Sequence, residues 1–321
     1  MKRLITADLH LAAGDRDAYR LDFVRTTLLE LVQKHKVDQL LVLGDITEIK
    51  DNHPAILVNQ VVEAFTVLAK STEVVILQGN HDFAHKAYPF FEFLKYVEGI
   101  VWVGQPTYMD NCLFLPHTRD YKTDWKDLNF ENLDFIFAHN TFIGASANGQ
   151  KMSGIPIDIF PEDAMVLSGD IHEPQTFGVV TYTGAPYLCN HGDSYQPRVL
   201  LLDGLACKSV KVHGPQKRLI QVTWPEEIEH NAEPGDIVKI RVQLKMEHVA
   251  DWAGIRADIQ DWAVTRELKV HTIQPVVEVV PGERQSLIKG GSPRTDEQFL
   301  DSFIKRTGID LKTAEVGKEL L

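Results

Sequence analysis

Glu73-Val74-Val75-Ile76-Leu77-Gln78-Gly79-Asn80-His81-Asp82 begins as an apolar strand and breaks, at a glycine, into three side chains able to bind metal or move protons. A short apolar run ended by a turn signal is the pattern of a strand covered on both faces. The same pattern occurs twice upstream. Residues 3–7 read as a strand and lead into Asp8-Leu9-His10; residues 38–43 read as a strand and lead into Gly44-Asp45. Between these strands the apolar period changes from two to about 3.6. Residues 17–35 carry Phe23, Leu28, Leu31 and Val32 at helical spacing, and Pro54 opens a second helix through Val58, Val61, Val62, Phe65 and Leu68. Each pair of blocks is separated by room for one helical crossover, so a parallel sheet with covering helices is expected.

The rest of the first two-thirds continues in short strands, expected near 100–103, 112–116, 133–138, 165–168, 178–183 and 197–202. Two more polar blocks fall here, His139-Asn140 and Gly169-Asp170-Ile171-His172. Side chains at the carboxyl ends of strands converge on the crevice where open α/β sheets hold ligands.

Composition narrows the class. The 321 residues are 44% hydrophobic and 24% charged, as in an ordinary globular protein. No window approaches the roughly 18 apolar residues of a membrane span, and the early charges of Met1-Lys2-Arg3 predict no signal peptide. Cys112, Cys189 and Cys207 lie far apart with no CxxC pair, which suits a reducing cytoplasm, the host's if the chain is phage-encoded. The net charge of −12 runs against a free-standing nonspecific DNA binder. A nucleic-acid role would need local basic patches, a metal centre or a partner.

The five polar blocks are a set of carboxylates, imidazoles and carboxamides without a thiolate. Such donors suit Mn²⁺, Fe²⁺, Mg²⁺ or Zn²⁺. A carboxylate shared by two ions can hold them roughly 3.5–4 Å apart, the spacing of two-metal phosphoester hydrolysis. His81, between Asn80 and Asp82, is a candidate general acid for the leaving oxygen, with Asp82 expected to orient its ring.

The order DxH … GD … GNHD … H … GDxH over residues 8–172 resembles the calcineurin-like metallophosphoesterase superfamily. Within it the chain is similar to SbcD-type nucleases, bacterial and phage relatives of the double-strand-break repair nuclease. Asp170-Ile171-His172-Glu173-Pro174-Gln175 and Tyr182-Thr183-Gly184-Ala185-Pro186 carry that narrower likeness. The resemblance implies a four-layer α/β/β/α sandwich with a small capping domain and a helical tail. It implies that Asp8, His10, Asp45 and His172 hold one divalent ion and that Asp45, Asn80, His139 and Asp170 hold the other, with His81 acting on the scissile phosphate. Mn²⁺ is the expected metal, with Mg²⁺ the alternative. Asp170 stands where the family has histidine, which makes the second site harder and more anionic. The implied activity is hydrolysis of DNA phosphodiesters at ends, hairpins or single strands, alongside an SbcC-type coiled-coil ATPase; a homodimer is a further option. A phosphatase or a cyclic-nucleotide or small-molecule phosphodiesterase of the same superfamily is the alternative.

The chain divides accordingly into a nuclease domain over 1–214, a capping domain over 215–285 and a linker and helical tail over 286–321. In the cap, strands at 219–224, 237–244 and 271–280 surround a helix over 247–267, a β-α-β unit. Residues 281–295 are rich in glycine and proline; Thr295-Asp296-Glu297-Gln298 resembles a helix-capping box, and Phe299, Leu300, Phe303 and Ile304 form one apolar stripe suited to a partner. His53, His85, His117 and His191 match no ligand position and read as solvated or packed histidines; His117 and Arg119 are the candidates for substrate contact. Lys208, Lys211, Lys217 and Arg218, then Lys239, Arg241 and Lys245, could position phosphates or simply face solvent.

Overall fold

The computed structural model describes residues 1–85, 87–147 and 149–277. The strand end expected at 278–280, the Gly/Pro linker, the capping box and the apolar stripe lie outside these residues.

Strands β1 (Lys2–Thr6), β2 (Gln39–Leu43), β3 (Glu73–Leu77) and β4 (Ile100–Val103) run parallel in that order. The chain then builds a second sheet from β5 (Thr107–Met109), β6 (Cys112–Leu115) and β7 (Phe135–His139). The two-residue strands β8 (Ser146–Ala147) and β9 (Gln150–Lys151) form a small ribbon, and β10 (Val166–Gly169), β11 (Gln175–Phe177) and β12 (Val180–Tyr182) complete the second sheet. Strands β13 (Arg198–Asp203) and β14 (Ala206–Lys211) return to the first, giving the orders β14-β13-β1-β2-β3-β4 and β11-β12-β10-β7-β6-β5.

Two faces explain why these runs are apolar throughout. Ile5, Leu41, Leu43, Val75 and Leu77 point inward against Phe114, Phe135, Phe137 and Leu167 of the other sheet. The alternate residues Leu4, Leu40, Val42, Val74 and Ile76 meet the helices, as the two-residue pleat requires. The helix Ala55–Ala69 follows Pro54 and buries Leu57, Val61, Ala64, Phe65 and Leu68, a single stripe at helical spacing. The segment 18–35 is helical as its period predicts, but its middle, Phe23–Leu28, is a π-helix, where the Thr26 hydroxyl donates to the Asp22 carbonyl at 2.6 Å. The outermost layer, over the second sheet, is thin. Trp125, Phe142 and Phe160 pack there, carried by loops, the one-turn helix Tyr121–Asp124 and the 3-10 turn Ile157–Ile159. The molecule is an α/β sandwich of two packed sheets.

A third sheet follows: β15 (Lys217–Thr223), β16 (Ile237–Leu244) and β17 (Lys269–Val277), all parallel. Only the β16-to-β17 crossover is helical, through a 3-10 turn at Met246–Asp251 and the helix Trp252–Val264; residues 224–236 link β15 to β16 without one. The unit is thus β-β-α-β, because the polar stretch Glu226-Glu227-Ile228-Glu229-His230-Asn231 has no apolar stripe to hold a helix on the sheet. Ile240, Val242 and Leu244 pack under Ile255, Ile259 and Ala263. Lys217 Nζ meets Asp17 at 2.8 Å, and the Leu188 N–H donates to Gln216 Oε1 at 2.7 Å, tying this sheet to the sandwich. Among the described residues no helix is long and apolar enough to cross a membrane.

Candidate metal centre

Parallel strands end on one edge, so the segments after β1, β2, β3, β7 and β10 gather at one place. The register sets Gly169 beside His139 across β10 and β7. The backbone there is tightly drawn. Asp8, His10, Asp45 and Asp170 have φ of 54°, 43°, 57° and 83°, a left-handed conformation that costs a non-glycine residue on the order of 1–3 kcal/mol and tends to cluster at working sites. A Cβ at Gly44 or Gly169 would collide with His139, and one at Gly79 with the Asp45 carboxylate. These glycines let three loops close on one another.

The side chains meet as follows. His10 Nε2 lies 3.5 Å from Asp45 Oδ2 and 3.0 Å from His172 Nε2. His139 Nε2 lies 3.3 Å from Asp45 Oδ1, 3.2 Å from Asn80 Oδ1 and 3.9 Å from Asp170 Oδ1. The Asp170 N–H donates to Asp8 Oδ1 at 3.1 Å. His139 Nδ1–H donates to the Leu43 carbonyl at 2.6 Å, which fixes the tautomer and leaves Nε2 free to ligate. Asp45 therefore touches both histidine groups, as a bridging carboxylate must. Asp8, His10 and His172, and Asp8, Asp45 and His139, each bring one donor atom within 4.8 Å of the others.

This donor set fits divalent ions. Two imidazole nitrogens, on His10 and His172, face each other, and among the described residues the buried atoms Asp8 Oδ2 and His10 Nδ1 have no hydrogen-bond partner. Buried charge without a partner is costly, and three carboxylates share this edge. Burial, with Asp45 and Asp170 adding to it against His139, holds the Asp8 carboxyl well above its ordinary range. Burial acts the same way on Asp45, but His139's charge and hydrogen bond outweigh it and keep Asp45 ionised. The carboxylates raise His139 against its own burial. Burial depresses His10 and His172, so both rings are neutral, the form that binds metal. Two dications would offset the carboxylates and engage Asp8 Oδ2 and the facing His10 and His172 nitrogens.

His81 sits beside this group. Its N–H donates to Asp45 Oδ1 at 2.8 Å, its ring lies edge-on to His10 with centroids 4.8 Å apart, and Nδ1 donates to the Glu48 carbonyl at 2.6 Å. Nε2 has no protein partner among the described residues. Asp82 does not orient the His81 ring, as its sequence neighbourhood had suggested. Its carboxylate instead accepts the N–H groups of Gly79 (2.7 Å), Ile46 (2.8 Å) and Asp45 (2.9 Å). Burial and the Asp45 charge raise this carboxyl to about 6, while the N–H donors of Gly79 and Ile46 oppose the rise. At neutral pH the carboxylate receives the three bonds. The reason is geometric: after Gly79 the chain turns back, so adjacent side chains part and Asp82 faces the β2 loop.

The structure places His117 and Arg119, the candidates for substrate contact, in different surroundings. The His117 ring lies 6.2 Å from His139, and its buried Nδ1 has no hydrogen-bond partner among the described residues. Burial and the neighbouring His139 push it down to about 4. Arg119 is exposed and, among the described residues, pairs with nothing.

Sequence reasoning missed several contributors. Arg20 is buried and donates to the His10 carbonyl at 2.5 Å and to Glu48 at 2.9 Å. The Thr141 hydroxyl donates to Asp170 Oδ2, and the Tyr187 hydroxyl to the Leu9 carbonyl. Glu48 and Thr141 could have been found, since they lie three and two residues past Asp45 and His139. Nothing local marks Arg20 or Tyr187. Thr141, Asp170, His172 and Asp193 line an open cleft of about 650 Å³.

The family comparison agrees with this arrangement. Residues 1–262 match the family model for calcineurin-like phosphoesterases. No curated protein matches the chain. Among solved structures, the crystal structure of Pseudomonas putida nuclease MPE is similar, at 17% identity and a TM-score of 0.32, covering 65% of this chain and 72% of that one. The family match runs through every segment that contributes to the centre, and the chain therefore belongs to the calcineurin-like phosphoesterases, metal-dependent hydrolases of phosphoester bonds.

Proposed function

We propose that the chain is a Mn²⁺-dependent nuclease of the SbcD type, cleaving phosphodiesters at DNA ends, hairpins or single strands. The observation that supports phosphoester hydrolysis most is His81, a half-buried imidazole beside the shared Asp45 whose Nε2 has no partner among the described residues. The alcohol leaves either a phosphodiester or a monoester as an alkoxide that needs a proton, and the open cleft lined by Asp170 and His172 leaves room for a strand. Asp8, His10, Asp45 and His172 would hold one ion and Asp45, Asn80, His139 and Asp170 the other. When bound, the ions supply Lewis-acid stabilisation of charge on the phosphoryl oxygens.

The chain's own residues do the rest. Protonated His81 gives the Nε2 proton to the leaving oxygen and returns to the neutral Nδ1–H tautomer, which the Glu48 carbonyl fixes. Arg20, held to the His10 carbonyl and to Glu48, keeps these two segments in register. Thr141 holds one Asp170 oxygen and leaves Oδ1 for metal. The segment 286–321, outside the described residues, is the proposed attachment for an SbcC-type ATPase.

The deciding experiment compares end-labelled duplex, hairpin and single-stranded DNA in Mn²⁺, with and without the ATPase. Cleavage of DNA supports the nuclease reading. Hydrolysis of a small chromogenic diester with no action on any DNA would assign the chain to the small-molecule phosphodiesterases.

A further inference from the structure

The sheet β15–β17 buries one face under its helix, with Val238, Ile240, Val242 and Leu244 in that core. Lys239 therefore stands on the opposite face. The register breaks at this point: Val238 pairs with Val270 but Lys239 pairs with Thr272, so His271 is the extra residue of a bulge. Bulges re-aim side chains, often next to functional sites. Here His271 meets His191 of the sandwich, with ring centroids 4.9 Å apart, and its Nδ1 lies 3.4 Å from Arg16 Nη1. Lys217, on β15, reaches Asp17 at 2.8 Å.

Five segments thus bring Arg16, His191, Lys217, Lys239 and His271 together in a chain of net charge −12. Asp17, the acid among them, is already shared by Lys217 and by Arg20 at 3.2 Å. Among the described residues neither Lys239 nor Arg16 forms an ion pair, and Arg16 is bonded to the His271 ring nitrogen. Among the described residues the buried His191 Nε2 has no hydrogen-bond partner. Burial, then His271, Lys217 and Lys239, push His191 down to about 4. Burial, then Arg16, Lys217 and Lys239, lower His271 as well. His191 lies between Asn190 and Gly192, which line the same cleft as Asp170 and His172.

We infer that this junction is a phosphate-binding site for the sugar–phosphate backbone of a nucleic-acid strand whose scissile phosphate lies at the metal centre. The inference rests on the nuclease reading above. Arg16 and Lys239 supply unneutralised positive charge, and the two neutral imidazoles supply N–H donors. Because the site joins both units, a bound strand would also hold the accessory sheet against the sandwich.

The test is binding of a fluorescent phosphorothioate single strand, which resists cleavage, to the full Mn²⁺-loaded chain over a range of salt. Removing one positive charge that neutralises a phosphate should reduce the slope of log K against log salt by about 0.7. Arg16→Ala with Lys239→Ala should therefore lower it by about 1.4, and restoring the charge with Lys239→Arg should recover half of that. Lys70→Ala, which removes a charge at the far end of the sandwich, should leave the slope in place. Unfolding temperature and Mn²⁺ content check that each variant is intact. A double variant with the wild-type slope, or an equal change in Lys70→Ala, would overturn the site while leaving the nuclease reading standing. A wild-type chain that binds no strand at all would overturn both.

Discussion

Substituting Asp82 separates two roles that adjacency in sequence had merged. Its two oxygens receive three buried N–H groups, Oδ2 from Asp45 and Gly79 and Oδ1 from Ile46. An unsatisfied buried donor costs about 1–3 kcal/mol. Asp82→Asn keeps one acceptor, which can serve the two-donor position, and sets an NH₂ against the Ile46 N–H. The expected loss is about 1–3 kcal/mol for the orphaned donor, or roughly 2–12 °C at about 2–4 °C per kcal/mol for a chain of this size. Asp82→Ala strands all three donors and should cost up to three times as much. The orphaned groups belong to the loops carrying Asp45 and Asn80, so Mn²⁺ affinity should fall with stability. The assay is a Mn²⁺ titration by calorimetry beside thermal unfolding, then the rate at saturating Mn²⁺. A variant with wild-type melting and Mn²⁺ binding but a hundredfold lower rate and a shifted pH profile would refute the reasoning. It would return Asp82 to the role of orienting His81.

Other expectations follow from the same geometry. His81→Ala should lose about 10²–10⁴ in rate while both metals remain by elemental analysis; loss of bound Mn²⁺ would make His81 a ligand. Asp170→Ala should weaken one of the two Mn²⁺ equivalents selectively, since Asp170 approaches the His139 group and not His10; unchanged stoichiometry and rate would remove it from the ligand set. His117 is held near 4 when folded, against about 6.5 when unfolded. Above pH 6.5 both states leave it neutral. As the pH falls from 6.5 toward 4 the unfolded chain binds the proton and the folded chain does not, so stability is lost across that window. His117→Phe should therefore flatten the metal-free protein's urea midpoint between pH 7 and pH 5, and an unaltered slope would show that other groups carry it.

The site was legible in the sequence to an unusual degree because its residues follow buried parallel strands. An apolar run such as Val74-Val75-Ile76-Leu77 announces its own end, and what stands after it is placed by that end. Asp8, His10, Asp45, Asn80, His139, Asp170 and His172 all lie at or shortly after a strand terminus, so local reading placed them together. The partners of Asp82 were hidden because they are backbone N–H groups, which have no sequence identity. Arg20 and Tyr187 were hidden because their targets, the His10 and Leu9 carbonyls, are main-chain atoms brought close only by folding. The bulge at His271 could not be read because one extra residue in a parallel strand leaves no mark in Val270-His271-Thr272.

The donors of the centre are divided between the two sheets: Asp8, His10, Asp45 and Asn80 follow strands of one, while His139, Asp170 and His172 end or follow strands of the other. Neither ion's proposed set is complete until His172 or Asp170 is in place, late in the sandwich. A growing chain emerges amino end first, so a nascent polypeptide carrying the first four ligands has no working centre. A hydrolase of this kind is chemically silent while only β1–β4 are made, and the arrival of β7 and β10 of the second sheet switches it on.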